Sequence, residues 1–254
     1  MPIAPRAFFR LRLCGLAVGV TAFCLMLPAR AAPAVFEDSM AQRTLACTAC
    51  HGAQGRATPD GYYPRIAGKP AGYLYNQLLN FRNGHRTYPL MAQLVDPLSD
   101  GYVREIAEYF ASLELPYPAH SAVPIGPHEL QRGEQLVRHG DATLRIPACA
   151  QCHGVALTGT QPSIPGLLGL PRDYLKSQLG AWSNGQRHAH APDCMATIAQ
   201  RLSPADAAAV TGWLASQPLP AVTRAAASLP APLPMECGSA FSASPELATG
   251  SRRP

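Results

Sequence analysis

Two short runs concentrate reactive side chains: Cys47-Thr48-Ala49-Cys50-His51-Gly52 and Cys149-Ala150-Gln151-Cys152-His153-Gly154, 102 residues apart. Each sets two thiols two residues apart and places an imidazole directly after the second. That order is the attachment sequence for c-type haem. The thiols add across the two porphyrin vinyl groups as thioethers, and the adjacent His supplies the proximal ligand to iron. A redox dithiol or half of a zinc site are the rival readings of Cys-x-x-Cys. The His follows at once in both copies, neither copy has a thioredoxin-like strand pattern, and a zinc ribbon would need all four cysteines together. The expectation is two covalently bound haem c groups, each carrying iron.

A second axial ligand must come from the far side of each pocket. Met91 and Met195 are the only methionines that align between the copies, 40 and 42 residues after their histidines. Methionine is ordinarily core filler, but alignment of both in a chain with six Met points to ligands. Each is expected in an irregular stretch before the last helix. The candidate iron ligands are therefore His51, Met91, His153 and Met195, with Cys47, Cys50, Cys149 and Cys152 as the haem-bearing thiols. Iron with both axial positions filled passes electrons rather than binding substrate, so no catalytic residue is expected. His85, His188 and His190 lie near the methionines as substitute ligands, while His120, His128 and His139 read as surface residues. Arg86 and Arg187 align, as do Tyr73 and Tyr174. They serve packing or solvation, or an Arg neutralises a haem propionate. Ile66 and Pro165-Gly166 are candidate pocket wall, and the carbonyl of Pro64 or Pro165 could hold the proximal imidazole N–H.

The elements that must position these groups also come in duplicate. Tyr73-x-x-x-Gln77-Leu78-x-x-Phe81-x-Asn83-Gly84-x-Arg86 matches Tyr174-x-x-x-Gln178-Leu179-x-x-Trp182-x-Asn184-Gly185-x-Arg187 at an offset of 101, and the endings from Met91 and Met195 onward match at 104. The spacing of Tyr, Gln/Leu and an aromatic puts them on one helix face. Short helices are expected before the cysteine pairs, over about 38–49 and 128–140. Final helices follow Leu98-Ser99 and Leu202-Ser203, where Ser is a natural N-cap and Pro204 suits the first turn. The Gly/Pro-rich segments 58–70 and 158–171 read as loops. The fold class is all-α: two tandem domains, 32–114 and 128–220, joined by a stiff Pro-rich linker over 115–127. An Ala/Pro-rich tail over 221–254 is expected to be irregular and partly disordered.

Aromatic residues (7%) and charges (15%) are sparse, so a buried macrocycle would help to fill the cores. Residues 1–31 read as a cleaved signal peptide, with Arg6, Arg10 and Arg12 before an apolar run and Ala29-Arg30-Ala31 at its end. An uncleaved anchor is the alternative, and with it peripheral membrane association. Removing this segment takes away four of 21 basic residues and none of the 16 acids, leaving 17 against 16. With no basic stripe, nucleic-acid binding has no electrostatic support. Cys194 and Cys237 remain, and an oxidising compartment favours a disulfide that pins the tail across the second domain. Two free thiols are the alternative.

Over roughly residues 36–218 the chain resembles the dihaem cytochrome c4 family. The likeness rests on both C-x-x-C-H-G motifs, the Tyr-x-x-x-Gln-Leu helices, the Asn-Gly-x-Arg turns and the Met…Leu-Ser endings. The resemblance implies two class I cytochrome c folds facing each other, with His51/Met91 and His153/Met195 ligation. It also implies electron transfer in the periplasm, often towards a terminal oxidase. The Cys194/Cys237 pair, the tail, and Pro-Asp-Cys before the second Met depart from the family pattern. A carrier taking electrons from a quinol-oxidising complex or dehydrogenase is the leading expectation. A fixed cytochrome subunit of a dehydrogenase and a dihaem peroxidase are the rivals.

Overall fold

The computed structural model describes residues 37–58, 61–118 and 124–240. From Asp38 onward the described residues belong to one compact unit. The expected signal peptide and the last fourteen tail residues lie outside the described residues.

The first half contains α1 (Met40–Arg43), α2 (Leu45–His51), α3 (Ala71–Arg82), α4 (Pro89–Val95) and α5 (Asp100–Ser112). The second half contains α6 (Pro127–Arg138), α7 (Cys149–His153), α8 (Arg172–Ser183), α9 (Cys194–Arg201) and α10 (Pro204–Ser216). The expected Ser caps are in place, with Ser99 Oγ accepting from Tyr102 N and Ser203 Oγ from Asp206 N. These satisfy N–H groups that the first turn leaves open.

Each half has its own core. Leu74, Val103, Ile106 and Phe110 gather between α3 and α5, and Leu136, Leu175, Val210, Trp213 and Leu214 between α6, α8 and α10. The Pro-rich connector does not merge them. Its visible start is clamped by Arg65, which donates to Leu115 O (2.5 Å) and Pro116 O (3.1 Å) and lies 4.0 Å from the Tyr117 ring centroid.

Several expectations need correction. The helix expected over 38–49 breaks at Thr44 and resumes through the first attachment motif to His51. The loop 158–171 contains a two-stranded antiparallel hairpin, β1 (Gly159–Thr160) and β2 (Ile164–Pro165). Both methionines sit in short helices rather than irregular chain: Pro89 starts α4 at a position where no N–H is needed, and Asp193 Oδ1 caps α9 through Ala196 N at 3.0 Å. The tail to Ala240 is irregular but packed. Ala226 bonds both Gly159 O and Gln161 N, and Ala240 is 3% exposed.

Candidate functional site

Helix α2 carries Cys47, Cys50 and, as its last residue, His51; α7 carries Cys149, Cys152 and His153 in the same arrangement. A glycine in left-handed conformation ends each helix. At Gly52 (φ 74°) a Cβ would lie 2.4 Å from Ala57 O, so the turn that brings the following loop under the His requires glycine. Both imidazoles are buried, with 8% exposure. His51 Nδ1 is 2.8 Å from Pro64 O and His153 Nδ1 is 2.7 Å from Pro165 O. A carbonyl only accepts, so Nδ1 carries the hydrogen in each ring and Nε2 keeps its lone pair for a metal. Burial pulls the pKa of both histidines down against the opposing effect of these bonds, which favours the neutral form a ligand needs. Both proline carbonyls anticipated in the sequence thus have this geometry.

Burial also pushes the Cys149 thiol up to about 12 and raises Cys47 and Cys152. These are not the low-pKa thiolates of a redox dithiol. Among the described residues no group of three or more His, Cys, Asp or Glu side chains gathers in metal-holding geometry.

Both motifs open into one cavity of about 890 Å³ that runs across the two halves. Met91 and Met195 line it together with His51, His153 and all four motif cysteines. Ile66, Phe81 and Phe110 wall the first end, and Leu170, Ile198 and Leu214 the second. His85, His188 and His190 are not in its lining. His85 and His188 are exposed and meet through the backbone, His188 N to His85 O at 2.6 Å. His128 and His139 are exposed as expected, and His120 lies outside the described residues.

Arg86 and Arg187 occupy the middle of this cavity's wall, where the halves meet reciprocally. Arg86 donates to Gln178 Oε1 at 2.7 Å and to Gln77 Oε1 at 3.0 Å; Arg187 donates to Gln77 Oε1 at 2.7 Å and to Gln178 Oε1 at 2.8 Å. Arg86 also reaches Tyr174 OH at 3.2 Å. The backbone repeats the exchange: the two arginines form an antiparallel bridge flanked by Thr87 N to Gln186 O and His188 N to His85 O. Residues matched between the copies therefore hold the copies together about a local pseudo-twofold relation. Sequence reasoning weighed the Arg and Tyr but missed Gln77 and Gln178 as contacts. Their signal was a polar residue repeated on an otherwise apolar helix face.

This cluster tests whether a haem fits. Arg187 is 3% exposed, and burial followed by repulsion from Arg86 lowers its pKa to about 10. Among the described residues neither guanidinium pairs with a carboxylate. Their acceptors on the protein are neutral. Two close cations, one buried and one half-buried, are costly without an anion, and haem propionates at the meeting point of the pockets would supply it. Lys69, which sequence reasoning left without a role, strengthens the case. It is 5% exposed, its Nζ donates to Gly166 O of the other half at 3.1 Å, and burial takes its pKa down to about 8. The buried neutral imidazoles, the thioether-spaced thiols, the apolar walls and the unneutralised cations all suit haem c.

Cys194 and Cys237 are joined by a disulfide, one residue before Met195. Leu233, Met235 and Cys237 of the tail join the cavity lining.

Comparison with known proteins agrees with this geometry. The Cytochrome c family model matches residues 130–218. The chain is 39% identical to a thiosulfate dehydrogenase electron acceptor from Thiomonas intermedia, over 68% of this chain and 79% of that protein. It is 34% identical to cytochrome c4 from Pseudomonas aeruginosa, over 66% and 82%. Among solved structures, the thiosulfate dehydrogenase (TsdBA) from Marichromatium purpuratum superposes with a TM-score of 0.60 at 32% identity. That match covers 68% of this chain, which spans only 36% of that longer one. With its helical tandem class I cytochrome c fold and its haem c attachment motifs, the chain belongs to the cytochrome c4 family of electron carriers.

Proposed function

We propose that the protein is a periplasmic carrier with two haems, taking single electrons from a sulfur-oxidising dehydrogenase of the thiosulfate dehydrogenase kind and passing them towards a terminal oxidase. His51 and Met91 would hold the first iron, and His153 and Met195 the second. Cys47 with Cys50, and Cys149 with Cys152, would form the thioether links. When bound, haem c supplies one-electron exchange between ferric and ferrous iron.

One observation carries the reading: each motif histidine is fixed by a proline carbonyl and opens into a single cavity that also holds both aligned methionines. The imidazoles are pre-oriented, and Arg86 and Arg187 stand where charge changes at either site would be felt. A quinol-oxidising complex is the other candidate donor. The thiosulfate donor is favoured by the Thiomonas relative, whose name makes it the electron acceptor of such an enzyme. Export rests on the amino-terminal segment, 1–31, and on the Cys194–Cys237 disulfide, which an oxidising compartment favours. No helix among the described residues is long and apolar enough to cross a membrane.

A second reading keeps the cytochrome fixed to its dehydrogenase. It is favoured by the Marichromatium structure, in which the matching region is part of a longer thiosulfate dehydrogenase chain.

A spectroscopic redox titration of the purified protein tests the ligands. Two haems per chain and a sulfur-to-iron charge-transfer band are expected, and Met91→Ala or Met195→Ala should each remove about half of that band. An unchanged spectrum rejects the ligand concerned. Stopped-flow mixing with a thiosulfate dehydrogenase should reduce the haems only when thiosulfate is present. Equal reduction without thiosulfate, or none with it, rejects the donor. Stable co-elution of the two proteins at micromolar concentration would favour the fixed subunit.

A further inference from the structure

The tail after α10 has no counterpart in the first half, and it touches both sides of the second pocket. On the proximal side, Ala226 N donates to Gly159 O at 2.9 Å and Gln161 N donates to Ala226 O at 2.8 Å, extending the β1–β2 hairpin whose Pro165 carbonyl holds His153. On the distal side, Cys237 is bonded to Cys194, Gly238 N donates to Pro192 O at 3.0 Å, and His190 N donates to Ser239 Oγ at 3.1 Å. The approach there is close: a Cβ on Gly238 would lie 2.2 Å from Ala191 O. Between the two anchors, Leu233 and Met235 face the cavity. The chain thus runs from the loop beneath the proximal His to the start of the helix bearing Met195.

We propose that residues 226–240 act as a strap that positions Met195, with Cys237 its covalent anchor, so that the second site holds its methionine more firmly than the first. The inference rests on the His/Met reading above. Cys194 is the first residue of α9 and Met195 the second, so a bond at Cys194 restrains the backbone one residue from the ligand. In the first half, Met91 follows Leu90 (54% exposed) in α4, a helix with no side-chain cap. Nothing among the described residues ties that segment covalently to the rest of its half. Cys237 is a positioning residue; it acts through the backbone of α9.

The test uses the haem-loaded full chain and compares wild type, Cys194→Ser/Cys237→Ser and Met195→Ala. Denaturant is titrated while the ferric charge-transfer band is followed. The wild type should lose the band in two steps of similar size, and Met195→Ala should lack the later one. In the double serine variant the later step should move down to meet the earlier one. Carbon monoxide binding to the ferrous protein should speed up about tenfold at one haem only, because it reads the fraction of molecules whose methionine has left. Should the double variant fail to load haem, the same carbon monoxide assay on wild-type protein opened by a phosphine, with both thiols then alkylated, gives the answer. An identical profile with the bridge demonstrably open overturns the strap while leaving the ligands intact. A band left whole by Met195→Ala overturns the ligand assignment, and the strap with it.

Discussion

In the second half a twelve-residue helix, α6, crosses α10 at Gly133, where a Cβ would lie 2.2 Å from Ala209 O and 2.6 Å from Trp213 Cβ. In the first half only the four-residue α1 precedes the attachment helix, and it stops at Thr44, which is buried with its hydroxyl bonded back to Met40 O. The second half can build a helix crossing because glycine lets two backbones approach. The first compensates by leaning on its neighbour. Lys69 reaches Gly166 O, and at Gly72 a Cβ would meet Ser163 Oγ at 2.5 Å and Pro162 O at 2.8 Å. At the 101-residue offset, Leu170 and Asp173 stand where the first half has Lys69 and Gly72. One duplicated sequence has thus diverged into a half built on a close helix crossing and a half built more on contacts with its neighbour.

The sharpest way to break that contrast is at the crossing. Gly133→Ala drives a methyl into backbone that cannot yield, and overpacking of this kind costs about 3 kcal/mol. Gly180→Ala in α8 meets nothing within 4 Å and should instead stabilise by up to about 1 kcal/mol, as alanine does in a helix interior. Denaturant midpoints of the two variants should move in opposite directions. Equal shifts would show that the crossing is not what holds the second half.

The arginine pair is the next lever, because it belongs to both halves. Arg187→Met removes two charged hydrogen bonds, to Gln77 and Gln178 Oε1, which keep Arg86 as a donor, a loss of about 2 kcal/mol. Arg86→Met should cost less, since Arg86 is half-buried whereas Arg187 is fully buried. If propionates answer these cations, each change removes positive charge near both irons and should lower both reduction potentials. Unchanged potentials at both haems would mean that the cluster serves packing alone, and a shift confined to one would tie the cations to that haem only.

How much of this was legible beforehand depended on whether a residue's role was local. The attachment motifs, the Ser99 and Ser203 caps and the proline carbonyls follow from neighbours in the chain, and periodicity placed α3 and α8 correctly. Gln77 and Gln178 bond across the halves. The repeat advertised them only as matches, and no rule of helix spacing says that a polar match faces its own copy. The buried Lys69 was invisible for the same reason, since its acceptor is 97 residues away. The tail's composition suggested disorder, yet a few backbone bonds and one disulfide suffice to fix it as far as Ala240. The leftover Cys237 was the single hint. Helices α4 and α9, of seven and eight residues, escaped because so short a run gives too little periodicity to read.

The smallest effect expected concerns how each half ties its first helix to its last. Arg132 on α6 holds Asp206 of α10 at 2.7 Å and Asp141 at 3.0 Å, whereas Arg43 on α1 is bound mainly to its near neighbour Asp38, with Glu105 of α5 at 3.8 Å. Asp141 also accepts from Thr143 Oγ1, Thr143 N and Leu144 N. Hydrogen bonds from Thr143 and Arg132 take its pKa from 3.8 down to about 2. Because the folded value lies below the unfolded one, the unfolded chain binds more protons between them. The stabilisation is present in full above the unfolded value and drains away as acid takes the pH from about 4 towards about 2. Its size is modest because Asp141 is only partly covered and its partner Arg132 is more open to solvent, which screens the pair. Asp141→Asn should therefore flatten the acid limb of the stability profile of the second half over that window, while leaving the neutral-pH haem spectrum untouched. Denaturant midpoints measured at steps of pH decide it. An acid limb as steep in the variant as in the wild type would move the sensitivity elsewhere, most directly to Asp206, whose burial raises its pKa but whose bonds to Arg132 and Ser203 outweigh that.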